Sequence, residues 1–262
     1  PDFGDPVAPS GADPANPVGE TSVTVESDLP RSFTYAVLRP WRPVQDTIAY
    51  NQGLLRDSLA QQLINRRLEA RARGGGSYLY AQVQQDDVSR STDATFVSFA
   101  PIGEDWRGAL TDVRAVIADA LATPPSEEEL AREIAEFEQV FVSSVEERAV
   151  LAGGRLADDI VQAVDIREAV AAPETVLTVF RGMKDTITPE QILDHTRALF
   201  DGAVIRASYT TPATGEADAA ALRAALSAPV EPDASARVTA SEISFADQPA
   251  IGEPGEVASA QP

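Results

Sequence analysis

The chain has 262 residues, of which 44% are hydrophobic, and a formal net charge of −20 with an isoelectric point near 4.3. This length suits one large domain or two small ones with a proper core. So acidic a surface argues against nucleic acid and anionic membranes as partners. The absence of cysteine excludes disulfides, thiolate catalysis and cysteine–zinc sites. No apolar run approaches the roughly 20 residues of a membrane span, so we expect no membrane insertion.

The two ends of the chain differ in composition from the middle. Residues 1–20 are rich in Pro, Gly, Ala and Asp, which predicts an extended linker. Residues 229–262 have little apolar periodicity, which predicts a C-terminal linker or a segment that lies over the surface. The predicted folded domain is therefore 21–228.

Between these ends, the patterning predicts strands and helices in a definite order. Alternating segments predict strands at 21–27, 32–41, 77–84, 94–101 and 202–210. Amphipathic segments predict helices at 44–73, 104–122, 124–151, 153–170, 172–184, 187–200 and 216–227. Ser126 with Glu129 has the spacing of a capping box, while Thr188 with Pro189 marks another helix start. This order predicts an α+β fold, with an antiparallel sheet and helices packed on one face.

The residues that most often carry chemistry are sparse. His195 is the only histidine, and it stands in neither a His-x-x-Glu-His nor a His-Glu-x-x-His pattern, so no histidine-based zinc site is expected. A serine triad also needs a histidine base, and no Gly-x-Ser-x-Gly elbow is present. The acidic run on the helix after Pro125 is interpreted as a dipole partner and a solvated face instead of paired catalytic carboxylates. That run comprises Glu127, Glu128, Glu129, Glu133, Glu136 and Glu138.

One stretch leaves two interpretations open. The helix that ends at Arg73 gathers five arginines before three glycines and a new strand: Arg56, Arg66, Arg67, Arg71 and Arg73. In the first interpretation, Arg71 and Arg73 complement the helix dipole, and the glycines cap the helix. In the second, Arg71 extends the apolar stripe and converges with Tyr78 across the glycine turn. The two side chains would then offer hydrogen-bond donors to one oxygen of a bound peptide.

Three segments together resemble the pitrilysin/insulinase family of zinc metallopeptidases over residues 21–212. "LINRRLEARARGGGSYLYAQVQ" is similar to that family's block of helix, arginine, turn and tyrosine, with Arg71 and Tyr78 at the family's Arg-x6-Tyr spacing. "DWRGALTDVRAVIADALATPPSEEELAREIAEFE" resembles the helix pair that follows. The segment from Leu156 to Phe200, with "ITPEQ" inside it, resembles the family's later helices.

The resemblance implies a fold like the sandwich of the mitochondrial processing peptidase domains. It also implies a non-catalytic domain following the zinc domain, since the zinc motif is absent here, with 229–262 leading toward a further domain. The chain alone would then neither bind zinc nor cleave peptides. The parent polypeptide would be a zinc-dependent metalloendopeptidase, periplasmic or secreted, whose chamber this domain helps to wall. The partners implied are the other domains and a peptide substrate, with Arg71 and Tyr78 as candidate substrate contacts. Because the family also has inactive members, a structural or protein-interaction scaffold domain is the alternative.

Overall fold

A computed structural model describes residues 15–88, 91–202 and 204–237; the predicted linkers lie mainly outside these ranges. The strands in chain order are β1 (Val18–Val25), β2 (Ser32–Pro40), β3 (Tyr78–Val88), β4 (Thr92–Pro101) and β5 (Val204–Thr211). The helices are α1 (Ile48–Arg73), α2 (Trp106–Ala122), α3 (Glu127–Glu147), α4 (Gly153–Ile166), α5 (Pro173–Met183), α6 (Pro189–Phe200) and α7 (Ala219–Ser227). The predicted α+β fold is confirmed.

The five strands form one sheet in the order β1-β5-β2-β4-β3. Three of the neighbouring pairs are antiparallel, as predicted, while β1 and β5 run parallel. The parallel pair arises because β5 inserts between β1 and β2, which are consecutive in the chain but are not neighbours in the sheet. Sequence patterning shows where a strand lies but not which distant strand will come between two others, so this pairing was not predicted.

The main core lies between one face of the sheet and helices α1 and α2. Phe33, Phe99, Trp106 and Tyr209 form a cluster of aromatic rings with centroids 5.0 to 6.0 Å apart. Each of these four residues is no more than 2% exposed, and they belong to the same buried cluster as Leu68 of α1. Aromatic packing of this kind contributes beyond the area it buries.

A second core lies on the other side of α1, away from the sheet. Leu59 and Leu63 of α1 pack there with Leu130 of α3 and Phe180 of α5. Helix α1 therefore lies between two buried clusters, which is why apolar side chains cover more of it than one narrow stripe.

Helix starts follow the predicted capping chemistry. The capping box of Ser126 and Glu129 is formed, and Thr188 begins α6 with Pro189 in its first turn. Helix α1 begins at Ile48, later than the predicted residue 44, because the Thr47 side chain accepts a hydrogen bond from the Tyr50 N–H.

The free edge of β3 is covered by side chains of α1. The Asn65 side chain exchanges two hydrogen bonds with the backbone of Val83, at 2.7 and 3.1 Å, and Gln61 accepts one from the N–H of Gln85 at 3.0 Å. The side-chain amides of Asn65 and Gln61 thus occupy hydrogen-bonding positions that a neighbouring strand would otherwise take.

A buried carboxylate, Glu216, lies where β2 begins and β5 ends. It accepts hydrogen bonds from Arg31, Tyr209 and Thr211, and its side chain is 8% exposed. The bond from the Arg31 guanidinium is the main reason that the pKa of Glu216 falls to about 2. The group ties the β1–β2 connection to the segment after β5.

The last described residues pack against α1 and α2. Asp233 N–H donates to the carbonyl of Ala115 at 3.0 Å, Arg237 donates twice to Asp119, and Ala236 is 2% exposed. This part of the predicted C-terminal linker therefore lies on the domain surface, and the remainder, 238–262, is outside the described residues. The predicted boundaries at 20 and 228 stay predictions. Among the helices of the described ranges, none is both long and apolar enough to span a bilayer.

Candidate functional site at the glycine turn

The glycine turn between α1 and β3 has a backbone that needs glycine. Gly75 has φ of +91°, a conformation that side chains with a Cβ rarely adopt. A Cβ at Gly76 would lie 3.0 Å from the carbonyl oxygen of Arg71, which accepts the Gly76 N–H at 2.9 Å. The turn therefore holds the end of α1 close to the start of β3.

Arg71 and Asp112 join the two sides of this turn. Arg71 Nη2 donates to Asp112 Oδ1 at 3.0 Å, and the Ser77 N–H donates to Asp112 Oδ2 at 2.9 Å. Arg71 Nε lies 3.6 Å from Asp233 Oδ2. The hydrogen bond to Asp112 is the main reason that the pKa of Arg71 is raised. The guanidinium is thus held between carboxylates of α2 and of the C-terminal segment.

Tyr78 lies beneath the same turn with its hydroxyl directed into the domain. The residue is 1% exposed, and its hydroxyl donates to the carbonyl of Leu68 at 2.8 Å. Burial raises the pKa of the Tyr78 hydroxyl well above its ordinary range. The phenol is therefore a neutral donor whose hydrogen is already used.

Arg71 and Tyr78 lie on the two sides of one turn, and the structure directs their donors to groups of this domain. Arg71 Nε is buried and has no hydrogen-bond partner among the described residues; the carboxylate oxygen Asp233 Oδ2 lies 3.6 Å from it. The Arg71 side chain is 26% exposed. A contact between this pair and a peptide stays a prediction.

A buried ion cluster, which the sequence did not reveal, lies one turn back along α1. Arg67 is 3% exposed and donates to Glu129 at 3.0 and 3.2 Å and to Asp119 at 3.3 Å. The sequence could have predicted the burial of Arg67 from its position three residues after Ile64, because that spacing places Arg67 on the apolar side of the helix. A charge at such a position must be paired.

This cluster corrects the interpretation of the acidic run on α3 as a solvated face. Glu129 and Glu133 are 4% and 3% exposed, and they pair with Arg67 and Arg66 respectively. Only the outer members of the run, such as Glu136 with 46% of its side chain exposed, face solvent. The periodicity of α3 could not show this, because α1 supplies the arginines that make burial of these carboxylates possible.

The structure does not supply a zinc site in the part of the chain that it describes. His195 Nδ1 lies 2.6 Å from Asp57 Oδ1, and no group of three or more potential ligands is found within residues 15–88, 91–202 and 204–237. Structural zinc needs four protein ligands and catalytic zinc three. The described residues therefore do not supply the ligand set that the zinc ion of the resembled family would need.

Two surface concavities have different chemistry. One, of about 390 Å³, lies between the start of α1 and α5, with Ile48, Leu55 and Val179 in its wall. The other, of about 460 Å³, is polar and includes Arg39 and Asp93 among its lining residues. Burial lowers the pKa of Arg39 and raises that of Asp93. Neither concavity includes Arg71 or Tyr78 in its lining.

Several solved protein structures with the same fold are proteases. The first half of the periplasmic protease PqqL from Escherichia coli matches with a TM-score of 0.70 and 14% identity, covering 85% of this chain and 48% of that structure. In the whole of PqqL the match has a TM-score of 0.71 and 15% identity, covering 85% of this chain and 25% of that one. A predicted insulinase family protease from Yersinia pestis gives 0.66 and 14%, with 85% and 48% covered.

A non-catalytic domain has the same architecture. The inactive domain of a peptidase M16 from Pseudomonas fluorescens matches with a TM-score of 0.52 and 12% identity, covering 82% of this chain and 47% of that one. No protein-family profile and no curated protein sequence matches the chain. This chain spans about half the length of the PqqL half-structure and a quarter of the whole of PqqL. The matching domains of PqqL are therefore parts of a larger protease. The resemblance seen in the sequence is therefore confirmed in the structure: the chain has the fold of the domains from which insulinase-type proteases are built.

Proposed function

We propose that this chain is a non-catalytic domain of a larger zinc metallopeptidase of the insulinase type. The observation that carries the proposal is a protease-domain fold without zinc ligands in the described residues. The single histidine of the chain rules out the family's two-histidine zinc motif within these 262 residues. In this role the domain supports the zinc-bearing domain and forms part of the wall of a peptide-holding chamber.

The partners in this proposal are the other domains of the same polypeptide and a peptide substrate. The coverage of PqqL supports a multi-domain parent, because the match accounts for 25% of that protein. Both Arg71 and Tyr78 are proposed to belong to the peptide-binding surface: Arg71 would contact the peptide through its guanidinium, and Tyr78 would hold the end of α1 in place through its bond to Leu68. PqqL is a periplasmic protease, which supports a periplasmic or secreted location for the parent.

The first experiment compares the 262-residue chain with its parent polypeptide. Both are assayed for bound zinc and for cleavage of a quenched fluorescent peptide library, with and without a chelator. We expect the chain to be inactive and free of zinc, and the parent to bind zinc and lose its activity on chelation. A parent that folds but neither binds zinc nor cleaves peptides supports the alternative, a structural or protein-interaction scaffold domain.

A second experiment tests the substrate contact in an active parent. If Arg71 binds the peptide in the transition state, Arg71→Ala lowers kcat/KM on the order of 10²-fold. Asp112→Asn is the control, because it weakens the internal ion pair and leaves the guanidinium in place. If both variants lose activity and stability equally, Arg71 only stabilises the turn, and the proposed peptide contact is refuted.

A further inference from the structure

Helix α4 is the part of the described chain that is least covered by the rest of the domain. None of its described side chains is buried. Within the described ranges, eight of the fifteen exposed large hydrophobic residues fall within 140–170, and four of them are on α4: Leu156, Ile160, Val161 and Val164. Their exposed fractions run from 43% to 69%. Clustered exposure of this kind marks a surface that another macromolecule covers.

The sequence of α4 separates apolar and polar residues into two faces. At about 100° per residue, Leu156, Ile160, Val161 and Val164, together with Ala157 and Ala163, occupy an arc of about 160°. Asp158, Gln162 and Asp165 lie within the opposite arc, with Arg155 and Asp159. A helix with this pattern ordinarily buries its apolar face against a protein core. Here we call that arc the α4 apolar face.

Helix α4 is capped at its C-terminus, where the Glu168 N–H donates to the Ala163 carbonyl at 2.8 Å, but it has few other features that stabilise a helix on its own. It has 14 residues, begins with Gly153 and Gly154, and has no side-chain hydrogen bond at its N-cap. Glycine is the poorest helix former after proline, and an isolated helix of this length is marginal in water. Its C-terminus ends at Arg167 with φ of +67°, a conformation that is unfavourable for a residue with a Cβ. Such a helix is stabilised mainly by what it packs against.

The segment is nevertheless attached to the domain at both ends. After α4, the Tyr50 hydroxyl donates to Glu168 at 2.6 Å, and the Ala169 N–H donates to Asp46 at 2.9 Å. Before α4, Arg148 pairs with Glu174 of α5. These contacts hold α4 at a defined place beside the start of α1 while leaving its apolar face open.

We propose that the α4 apolar face docks against an adjoining domain of the same polypeptide. This inference rests on the proposed function, which supplies that domain. The PqqL half-structure has more than half of its length outside the match, so the same fold occurs there beside a comparable length of chain. The partner surface is an apolar groove with a basic rim, complementary to Asp158 and Asp159 on the polar side of α4.

Two other occupants fit the charges less well. Helices that bind membrane surfaces carry lysine and arginine on the polar face, whereas the polar face of α4 is mainly acidic. A second copy of the chain would bring together two molecules that each carry a formal charge of −20. Both remain outcomes that the experiment can detect.

Hydrogen–deuterium exchange of the backbone amides in residues 156–164 tests the docking. We expect these amides to exchange at least tenfold more slowly in the parent polypeptide than in the 262-residue chain. Ile160→Glu places a charge within the α4 apolar face and should remove that protection in the parent. Because Ile160 is 43% exposed, the same change should leave the unfolding midpoint of the chain alone unaltered. Gln162→Glu, on the opposite face, is the matched control and should keep the protection.

Several results overturn the proposal. Equal exchange in chain and parent, or equal effects of the two glutamate variants, shows that no domain covers the face. Light scattering that gives twice the chain mass, reversed by Ile160→Glu, assigns the face to a second copy. Binding of the chain to vesicles of phosphatidylglycerol and phosphatidylcholine assigns it to a membrane. Protection of α4 in a parent without zinc or peptidase activity supports the docking while the proposed function fails, so the two are separable.

Discussion

Replacing Arg67 with methionine tests whether the buried ion cluster holds α1 to α2 and α3. The arginine is 3% exposed and donates to two carboxylates, Glu129 and Asp119. Removing one partner of a buried ion pair costs about 3–5 kcal/mol of unfolding free energy, because the remaining charge is left without compensation. Methionine keeps much of the volume, so the loss measured is mainly electrostatic.

The two carboxylates keep other partners, which places the expected loss at the lower end of that range. Asp119 retains two hydrogen bonds from Arg237, at 2.8 and 2.6 Å, and Glu129 retains the Ser126 N–H at 2.9 Å. We therefore expect Arg67→Met to lower the unfolding free energy by about 3 kcal/mol. For a domain of this size, that lowers Tm by roughly 6–12 °C.

Urea unfolding followed by circular dichroism measures this loss, with Arg73→Met as the control. Arg73 is on the same helix, but 70% of its side chain is exposed and it pairs with Glu69 at the surface. Exposed pairs contribute about 1 kcal/mol at most, so the control should unfold close to the wild type. A loss below about 1 kcal/mol for Arg67→Met, or equal losses in both variants, would refute the reasoning from burial.

Three further predictions concern Tyr78, the glycines Gly53 and Gly75, and the buried carboxylate Glu216. Tyr78→Phe removes a hydroxyl donor from a buried helix carbonyl, and urea unfolding should show a loss of about 1 kcal/mol. Gly53→Ala lies at an unobstructed helix position and should raise the unfolding free energy by about 0.5–1 kcal/mol. Gly75→Ala should lower the unfolding free energy, because Gly75 has φ of +91°. Equal effects of the two substitutions would contradict this. The pKa of Glu216 is about 2 in the folded protein against an ordinary 4.5, mainly through Arg31. The contribution of Glu216 to stability is therefore present above about pH 4.5 and is lost as pH falls toward 2. The stability advantage of the wild type over Glu216→Gln should shrink across that window. Unfolding midpoints recorded at a series of acid pH values measure this change.

The sequence predicted local features well because their causes are local. The capping box of Ser126 and the start of α6 at Pro189 depend on residues a few positions apart, and both are confirmed. The insertion of β5 between β1 and β2 depends on pairing between segments far apart in the chain. No periodicity within one strand can show such a pairing, so the parallel β1–β5 contact required the structure.

The candidate site was predicted in position but not in its contacts. Arg71 and Tyr78 both flank the glycine turn, but one bonds to Asp112 and the other to Leu68, and their role as a site stays a prediction. Their spacing could not show that Asp112, some forty residues later, returns to accept both Arg71 and the Ser77 N–H. Partners supplied by distant elements decide whether an arginine is free to bind a ligand.

The arginines of α1 show why an acidic protein concentrates positive charge on one helix. Arg66 pairs with carboxylates of α3, Arg67 with those of α2 and α3, and Arg71 with Asp112 of α2 and Asp233 beyond α7. Helix α1 packs between the two cores, and its charges neutralise acidic side chains that the surrounding helices would otherwise bury unpaired. Most of the positive charge near the glycine turn is therefore engaged within the domain. Recognition of another domain then depends on surfaces whose groups are not engaged, and the α4 apolar face is the described surface that best meets this condition.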